Sequence, residues 1–361
     1  MTFEDTDFRM EILDLQNPYD VKLVSNFLQP LGFNFDPSDV EFTLILYTLA
    51  GDIIGSGSHK GKILKYVAVS PKYRDSTAFA LIVTQLTEKL MSIYKHSFVF
   101  TRPTSSVYFR GLGFKEIAVA EPLFCVLEFG FESITNYQNY LSSLKKETKT
   151  EQVAAIVVNC NPFTNGHKYL IEKAAAENEL LYLIVVEEDR SAFPFAVRWE
   201  LIKRGIAHLP NVVMVKGGEY VVSGAIFPAY FLKNEAISLI MEKQAELDVN
   251  IFGKYIIPKL GIKRRYVGTE NYCPTTEAYN AAMHKLLPAY GVQVIELERK
   301  SIGTDAKQEP NYISASKVRE AIRTDQLNDV LDFLPESTKI FLLSDESVEI
   351  RAKIMFSTGR H

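Results

Sequence analysis

The chain has 361 residues, which at roughly 150 residues per domain predicts two domains. Hydrophobic residues make up 47% and charged residues 23%, the balance of an ordinary soluble globular protein. With 40 Lys+Arg against 44 Asp+Glu, the net charge of −4 leaves no basic excess for binding nucleic acid or a membrane surface through charge alone.

In chain order, Met1–Met10 carries acids and no apolar core of the secretory kind. Val40–Leu49 and Ile53–Ser58 predict a hairpin joined by Ala50-Gly51-Asp52, and Lys62–Val69 a third strand stopped by Ser70-Pro71. Thr77–Tyr94 places Phe79, Ile82, Val83, Leu86, Leu90 and Met91 at helical spacing. Ser97–Thr101 and Ala118–Phe129 read as strands, with Ser105–Leu112 helical between them. Ser142–Gln152 has a single apolar residue, Leu144, and reads as a linker between a domain at 1–141 and another at 153–361.

Beyond the linker, strand and helix alternate. Strands are predicted at Val153–Val158, Leu180–Val186, Val212–Val215, Arg265–Val267 and Gln293–Leu297. Helices are predicted at His167–Asn178, Pro194–Gly205, Tyr230–Leu247, Thr276–Leu287 and Ser316–Thr324. Apolar strands alternating with helices predict a parallel sheet covered on both faces, with ligands at the strand ends. The longest apolar stretches, such as Leu180–Val186, fall far short of the ~20 residues that span a bilayer. A cytoplasmic protein with neither nucleic-acid nor membrane partners is therefore expected. Cys125, Cys160 and Cys273 are odd in number and widely spaced, and the six histidines are scattered, so neither a disulfide framework nor a protein-held metal is predicted.

Two segments carry chemistry. In Ala155–Leu170 (AIVVNCNPFTNGHKYL) a buried strand runs through a polar loop into a helix opening at Gly166-His167. A helix start offers free N–H groups and a positive dipole end to an anion, and Gly166 permits close backbone approach. The same residues also fit a simple helix cap at Thr164 or Asn165. In Tyr312–Arg319 (YISASKVR) Ser316 can cap a helix that carries Lys317 and Arg319 at its start. Cations there oppose the helix dipole unless an anionic ligand sits at that end. Solvated cations at a small energetic penalty remain the plainer alternative.

Taken together, Thr164-Asn165-Gly166-His167 and Ile313–Arg319 resemble the HxGH and ISSTxxR signatures of the nucleotidyltransferase superfamily, in the same order and about 150 residues apart. Thr164 stands at the first His of HxGH, and Ala315 departs from ISST. Arg265–Glu270 resembles the superfamily's strand-end acidic segment, and Phe193-Pro194-Phe195 with Arg198 the stretch before its third strand. More closely, NCNPFTNGHKYLIEKAA, YVGTENYCPTTEAYNAAM and NYISASKVREAI resemble the citrate lyase ligase family over most of Val153–His361. Lys65–Arg74, the helix after it and Tyr108–Phe114 resemble a GNAT acetyltransferase domain. Asp75–Phe79 lacks the glycines of that fold's pyrophosphate loop, which argues against acetyl transfer by this domain.

The resemblance implies an α/β protein: a Rossmann-like nucleotidyltransferase domain preceded by an α+β GNAT-like domain. It implies ATP-dependent acetylation, by acetate, of the phosphoribosyl-dephospho-CoA thiol on the acyl carrier subunit of citrate lyase. The reaction would pass through acetyl-adenylate, with Mg²⁺ held largely by phosphates. His167, Thr164, Lys317 and Arg319 are the implied catalytic residues. Asn159, Asn161, Phe163, Gly166, Arg198, Gly268, Glu270, Ser314 and Ser316 are the implied nucleotide-binding ones. Met1–Leu141 would receive the CoA-like arm or its carrier. An adenylyltransferase of the pantetheine-phosphate type and a GNAT enzyme using acetyl-CoA are the rival activities.

Overall fold

The computed structural model describes residues 8–187, 191–221, 228–232, 235–269, 274–304 and 310–356. It forms two compact units, Met1–Asn136 with Ile226–Asn250 and Tyr137–Ala225 with Ile251–His361. The first division therefore falls before the polar stretch 142–152, and a segment from the second half of the sequence belongs to the first unit.

The first unit holds β1 (Phe8–Ile12), α1 (Pro18–Leu28), β2 (Phe42–Thr48), β3 (Ile53–Lys60), β4 (Ile63–Val69), α2 (Ala78–Ile93), β5 (His96–Thr101), α3 (Ser106–Arg110), β6 (Lys115–Ala120) and β7 (Phe124–Gly130). The strands form one sheet in the order β1-β2-β3-β4-β5-β7-β6. One face packs on α2, whose Ile82, Val83, Leu86 and Leu90 form a fully buried stripe. Gly55 and Gly57 on β3 let that helix settle, since a Cβ on either would lie 2.5 Å from Ile82. The other face packs on Val24 and Leu28 of α1. All neighbours pair antiparallel except β4 and β5, whose parallel register is confined to Ile63↔Phe98 and Leu64↔Val99. Beyond those pairs the strands part. This is a GNAT-like α+β arrangement. The expected single strand Ala118–Phe129 is instead a hairpin, because Pro122 cannot donate to a ladder and the chain turns at Glu121–Leu123.

Where β4 and β5 part, a cavity of ≈480 Å³ opens. Val67, Val69, Phe79 and Val99 line it from the α2 side, and Leu31, Phe33, Ala68 and Tyr230 from the α1 side. Tyr230 packs on Tyr66 with ring centroids 4.4 Å apart, and Arg102 pairs with Glu235 at 2.9 Å. The returning segment thus supplies a wall of the cavity.

The chain passes through α4 (Ile134–Leu144) into β8 (Val153–Val158), α5 (Asn165–Ala176), β9 (Leu180–Val185), α6 (Phe195–Gly205) and β10 (Val212–Lys216). Then follow α7 (Ile237–Ile251), α8 (Ile257–Leu260), β11 (Arg264–Gly268), α9 (Pro274–Leu286), β12 (Gln293–Leu297), β13 (Ser301–Thr304), β14 (Pro310–Tyr312), α10 (Ala315–Arg323), α11 (Glu336–Leu343) and α12 (Val348–Phe356). The main sheet of the second unit is parallel throughout, in the order β10-β9-β8-β11-β12. That is a Rossmann-like order. Sequence neighbours part between β8 and β11, so the crevice for a ligand lies at the carboxyl ends of those two strands. No helix among the described residues is long and apolar enough to cross a membrane.

Candidate active site

The site is built where β8 ends. Thr164 has extended backbone (φ −122°, ψ 167°) and caps α5. Its hydroxyl accepts from the His167 backbone N–H at 3.5 Å, while its own N–H donates to His167 Nδ1 at 3.1 Å. This reciprocal box satisfies two helix-start donors and fixes the imidazole. A nitrogen that accepts an N–H is unprotonated, so neutral His167 carries its hydrogen on Nε2. Burial, and then the Arg299 guanidinium, hold the imidazole down to about 4 from its ordinary 6.5. His167 is therefore a neutral hydrogen-bond donor at pH 7.

The two sequence segments meet. Arg319 Nη1 on α10 donates to the Asn161 carbonyl at 2.5 Å. A Cβ at Gly166 would lie 3.4 Å from the Ile313 carbonyl, so this glycine lets the α5 start approach the strand before α10. Thr164, Gly166, His167, Gly268, Thr269, Arg299, Lys300 and Ile313 line one cavity of ≈180 Å³. Arg299 and Lys300 escaped sequence reading because they lie beyond the end of β12, and only the parallel sheet carries them to α5, whereas Thr269 belongs to the strand-end segment Arg265–Glu270.

Other candidates take different places. Arg198 is fully buried and donates to the carbonyls of Phe193 (2.9 Å), Asn159 (2.8 Å) and Val186 (2.7 Å). It braces the loop after β8 from inside, which corrects the phosphate role expected of it. The Phe163 side chain is a core residue rather than a ligand contact: it is fully buried, and a Cβ on Gly205 would lie 2.4 Å from its ring. It backs the His167 ring at 6.3 Å between centroids. Asn161 is buried and its Oδ1 accepts from the Phe193 N–H at 3.0 Å. Asn159 is half-buried, with Ser191 Oγ donating to its Oδ1 at 3.1 Å.

At α10 the cap is Ser314, not Ser316: the extended Ser314 accepts from the Ser316 N–H at 3.2 Å. Arg319 consequently falls in the second turn and is half-buried, and burial lowers its affinity for the proton. Lys317 stays exposed in the first turn, its Nζ donating to Asn311 Oδ1 at 2.7 Å. Glu270 lies outside the described residues. Cys160 is buried, and burial pushes its thiol far above the ordinary range, which suits packing rather than nucleophilic chemistry.

Comparison with known proteins gives the following. Residues 153–342 match the family described as citrate lyase ligase C-terminal domain. A citrate (pro-3S)-lyase ligase from Haemophilus influenzae is 33% identical over 329 residues, covering 89% of this chain and 95% of the relative. The Escherichia coli K12 protein of the same name is also 33% identical, covering 88% and 89%. Among solved structures, a bifunctional NMN adenylyltransferase/ADP ribose pyrophosphatase from Francisella tularensis aligns over 56% of this chain and 52% of its own, at 11% identity and a TM-score of 0.35.

Proposed function

The chain belongs to the citrate lyase ligase family, and on that premise we propose how its own residues carry out the reaction. It is an ATP-using ligase that acetylates the acyl carrier subunit of citrate lyase. The finer reading is a two-step transfer. A carboxylate oxygen of acetate attacks the α-phosphorus of ATP, and pyrophosphate leaves with the bond it had shared. The thiol of the carrier's phosphoribosyl-dephospho-CoA arm, as thiolate, then attacks the acyl carbon and AMP leaves. The first step asks the protein for alignment and for charge stabilisation, not for covalent bonds.

Those tasks divide among the residues named. Thr164 orients His167, which donates Nε2–H to phosphate oxygen as charge develops. The free N–H groups of α5 and of α10 face anionic oxygens, Lys317 adds a mobile cation, and Arg319 ties the Asn161 turn to α10. Mg²⁺ would ride mainly on phosphate oxygens. The observation that most supports the reading is the Arg319–Asn161 bond, which joins the two segments at the ligand-binding edge of the sheet. The ≈480 Å³ cavity of the first unit supports assigning the carrier's arm to that unit. Acetate-dependent exchange of labelled pyrophosphate into ATP tests the reading. Its absence in active protein, or AMP retained on a phosphate ester product, would replace ligation with plain adenylyl transfer.

A further inference from the structure

We propose that Arg299 is a further nucleotide-contacting residue of this enzyme, its guanidinium taking phosphate oxygens of ATP across the ≈180 Å³ cavity from His167. The inference rests on the nucleotide reading above but concerns a residue outside both sequence segments.

The backbone fixes where Arg299 can be. β12 ends at Leu297, and Leu297 and Arg299 are both stitched to Thr269, just beyond β11. The Thr269 N–H donates to the Leu297 carbonyl at 2.8 Å, and the Arg299 N–H donates to Thr269 Oγ1 at 3.2 Å. The side chain then runs past Gly268, where a Cβ would meet Arg299 Cγ at 3.9 Å. Arg299 is half-buried and walls the same cavity as Gly166 and His167 at the start of α5.

The charge arrangement points the same way. Arg299 lies close enough to His167 to disfavour a second proton there, so a cation, a helix start and a neutral donor converge on one small space. Lys300, which also lies against the Tyr169 ring at 5.9 Å, adds a second positive charge to the wall, and Glu298 adds one exposed carboxylate. The planar guanidinium fork can hold two phosphate oxygens at once, and it is less hydrated than an ammonium, so it suits a half-buried position. A carboxylate would fit the same fork, which makes acetate the alternative occupant.

Arg299→Gln and Arg299→Lys separate these. In acetate-dependent exchange, Arg299→Gln is expected to raise KM for ATP at least about tenfold, with KM for acetate within about twofold, and Arg299→Lys to fall between it and the wild type. Calorimetric binding of a non-hydrolysable ATP analogue to the full chain should weaken by the same factor. That measurement does not depend on which reaction follows, so it judges Arg299 even if wild-type exchange proves independent of acetate. Unchanged analogue affinity in folded Arg299→Gln overturns the proposal. A rise confined to KM for acetate overturns it too, and moves Arg299 to the carboxylate. A loss of affinity matched by a fall in melting temperature, and not restored by Arg299→Lys, would make Arg299 a purely structural residue.

Discussion

The cavity beside His167 and the cavity between β4 and β5 are assembled in different ways. The first, ≈180 Å³, sets the start of α5, Thr164, His167, Arg299 and Lys300 beside Leu170, Leu297 and Ile313, gathered at the ends of three parallel strands. The second, ≈480 Å³, sets Val67, Val69, Phe79, Val99, Tyr230 and Phe231 beside Arg74, Thr101, Arg102, Thr104 and Ser105. The site beside His167 depends on donors at a helix start, with the imidazole fixed by its bonds to Thr164. The wider one takes part of its wall, Tyr230 and Phe231, from about 130 residues further along the chain. A change in the first should therefore show in the chemistry, and a change in the second in packing and acceptor use.

The largest expected effect belongs to the site beside His167. His167→Ala removes the donor and half of the cap box, and should slow acetate-dependent exchange by about 10²–10³-fold, the scale for losing one charge-stabilising donor. Helix-cap loss should cost only about 1 kcal/mol of stability. Near-normal exchange in folded His167→Ala would dissolve the contrast between the two cavities.

Arg198→Met turns the comparison around, since here a polar residue acts as packing. Three carbonyls, two of them in buried bonds, would lose their donor, at about 1–3 kcal/mol for each buried group left unpaired. A stability loss of roughly 3 kcal/mol or more is expected in denaturant titration. A KM rise for ATP without that loss would restore Arg198 as a phosphate ligand.

Legibility in the sequence follows the same division. The strand, loop and helix of Val153–Ala176 are contiguous, so their periodicity and turn residues show the site's core directly. Residue type alone does not show which way a side chain points, and Arg198 and Phe163 go inward. Two serines could each cap α10, and only the backbone at Ser314 selects between them. Arg299 is ordinary in sequence and becomes a neighbour of Thr269 through β11–β12 pairing. Nothing in the composition of Ile226–Asn250 announces that it packs in the first unit, because its apolar residues would serve either core equally well. β1 and α1 are short and lie before the first strong alternation, so sequence patterning passes over them.

Tyr230→Ala sharpens the comparison at the wider cavity. It removes a ring packed against Tyr66, Phe33 and Phe231 and should cost about 2 kcal/mol. Exchange of pyrophosphate into ATP should stay within about twofold of wild type, while acetylation of the carrier thiol falls several-fold. Equal loss in both assays would mean the two cavities are not separable in function. The same packing bears on truncation: a chain lacking Met1–Leu141 also strips Tyr230 and Phe231 of their partners, so its aggregation would say nothing about the arm.

The smallest effect tests the protonation state at His167. Its imidazole is held near 4 when folded, below the ordinary 6.5, so the unfolded chain binds that proton more readily. Between those two values the unfolded state carries more protons than the folded one, and stability rises with pH. The contribution is complete above about pH 6.5 and is lost as pH falls toward 4. From pH 7 to pH 6 the expected loss is under about 1 kcal/mol. Other groups titrate in the same range, so the readout is the difference between wild type and His167→Gln, which keeps a polar side chain but cannot gain a proton. Wild type should lose more stability than His167→Gln as pH falls from 7 to 5, while their difference stays flat from 7 to 8. The burial and the Arg299 charge both act against imidazolium, so Arg299→Gln should shrink that difference without abolishing it. Parallel curves for wild type and His167→Gln would mean that His167 is as easily protonated in the fold as out of it. The neutral-donor role would then have to be given up.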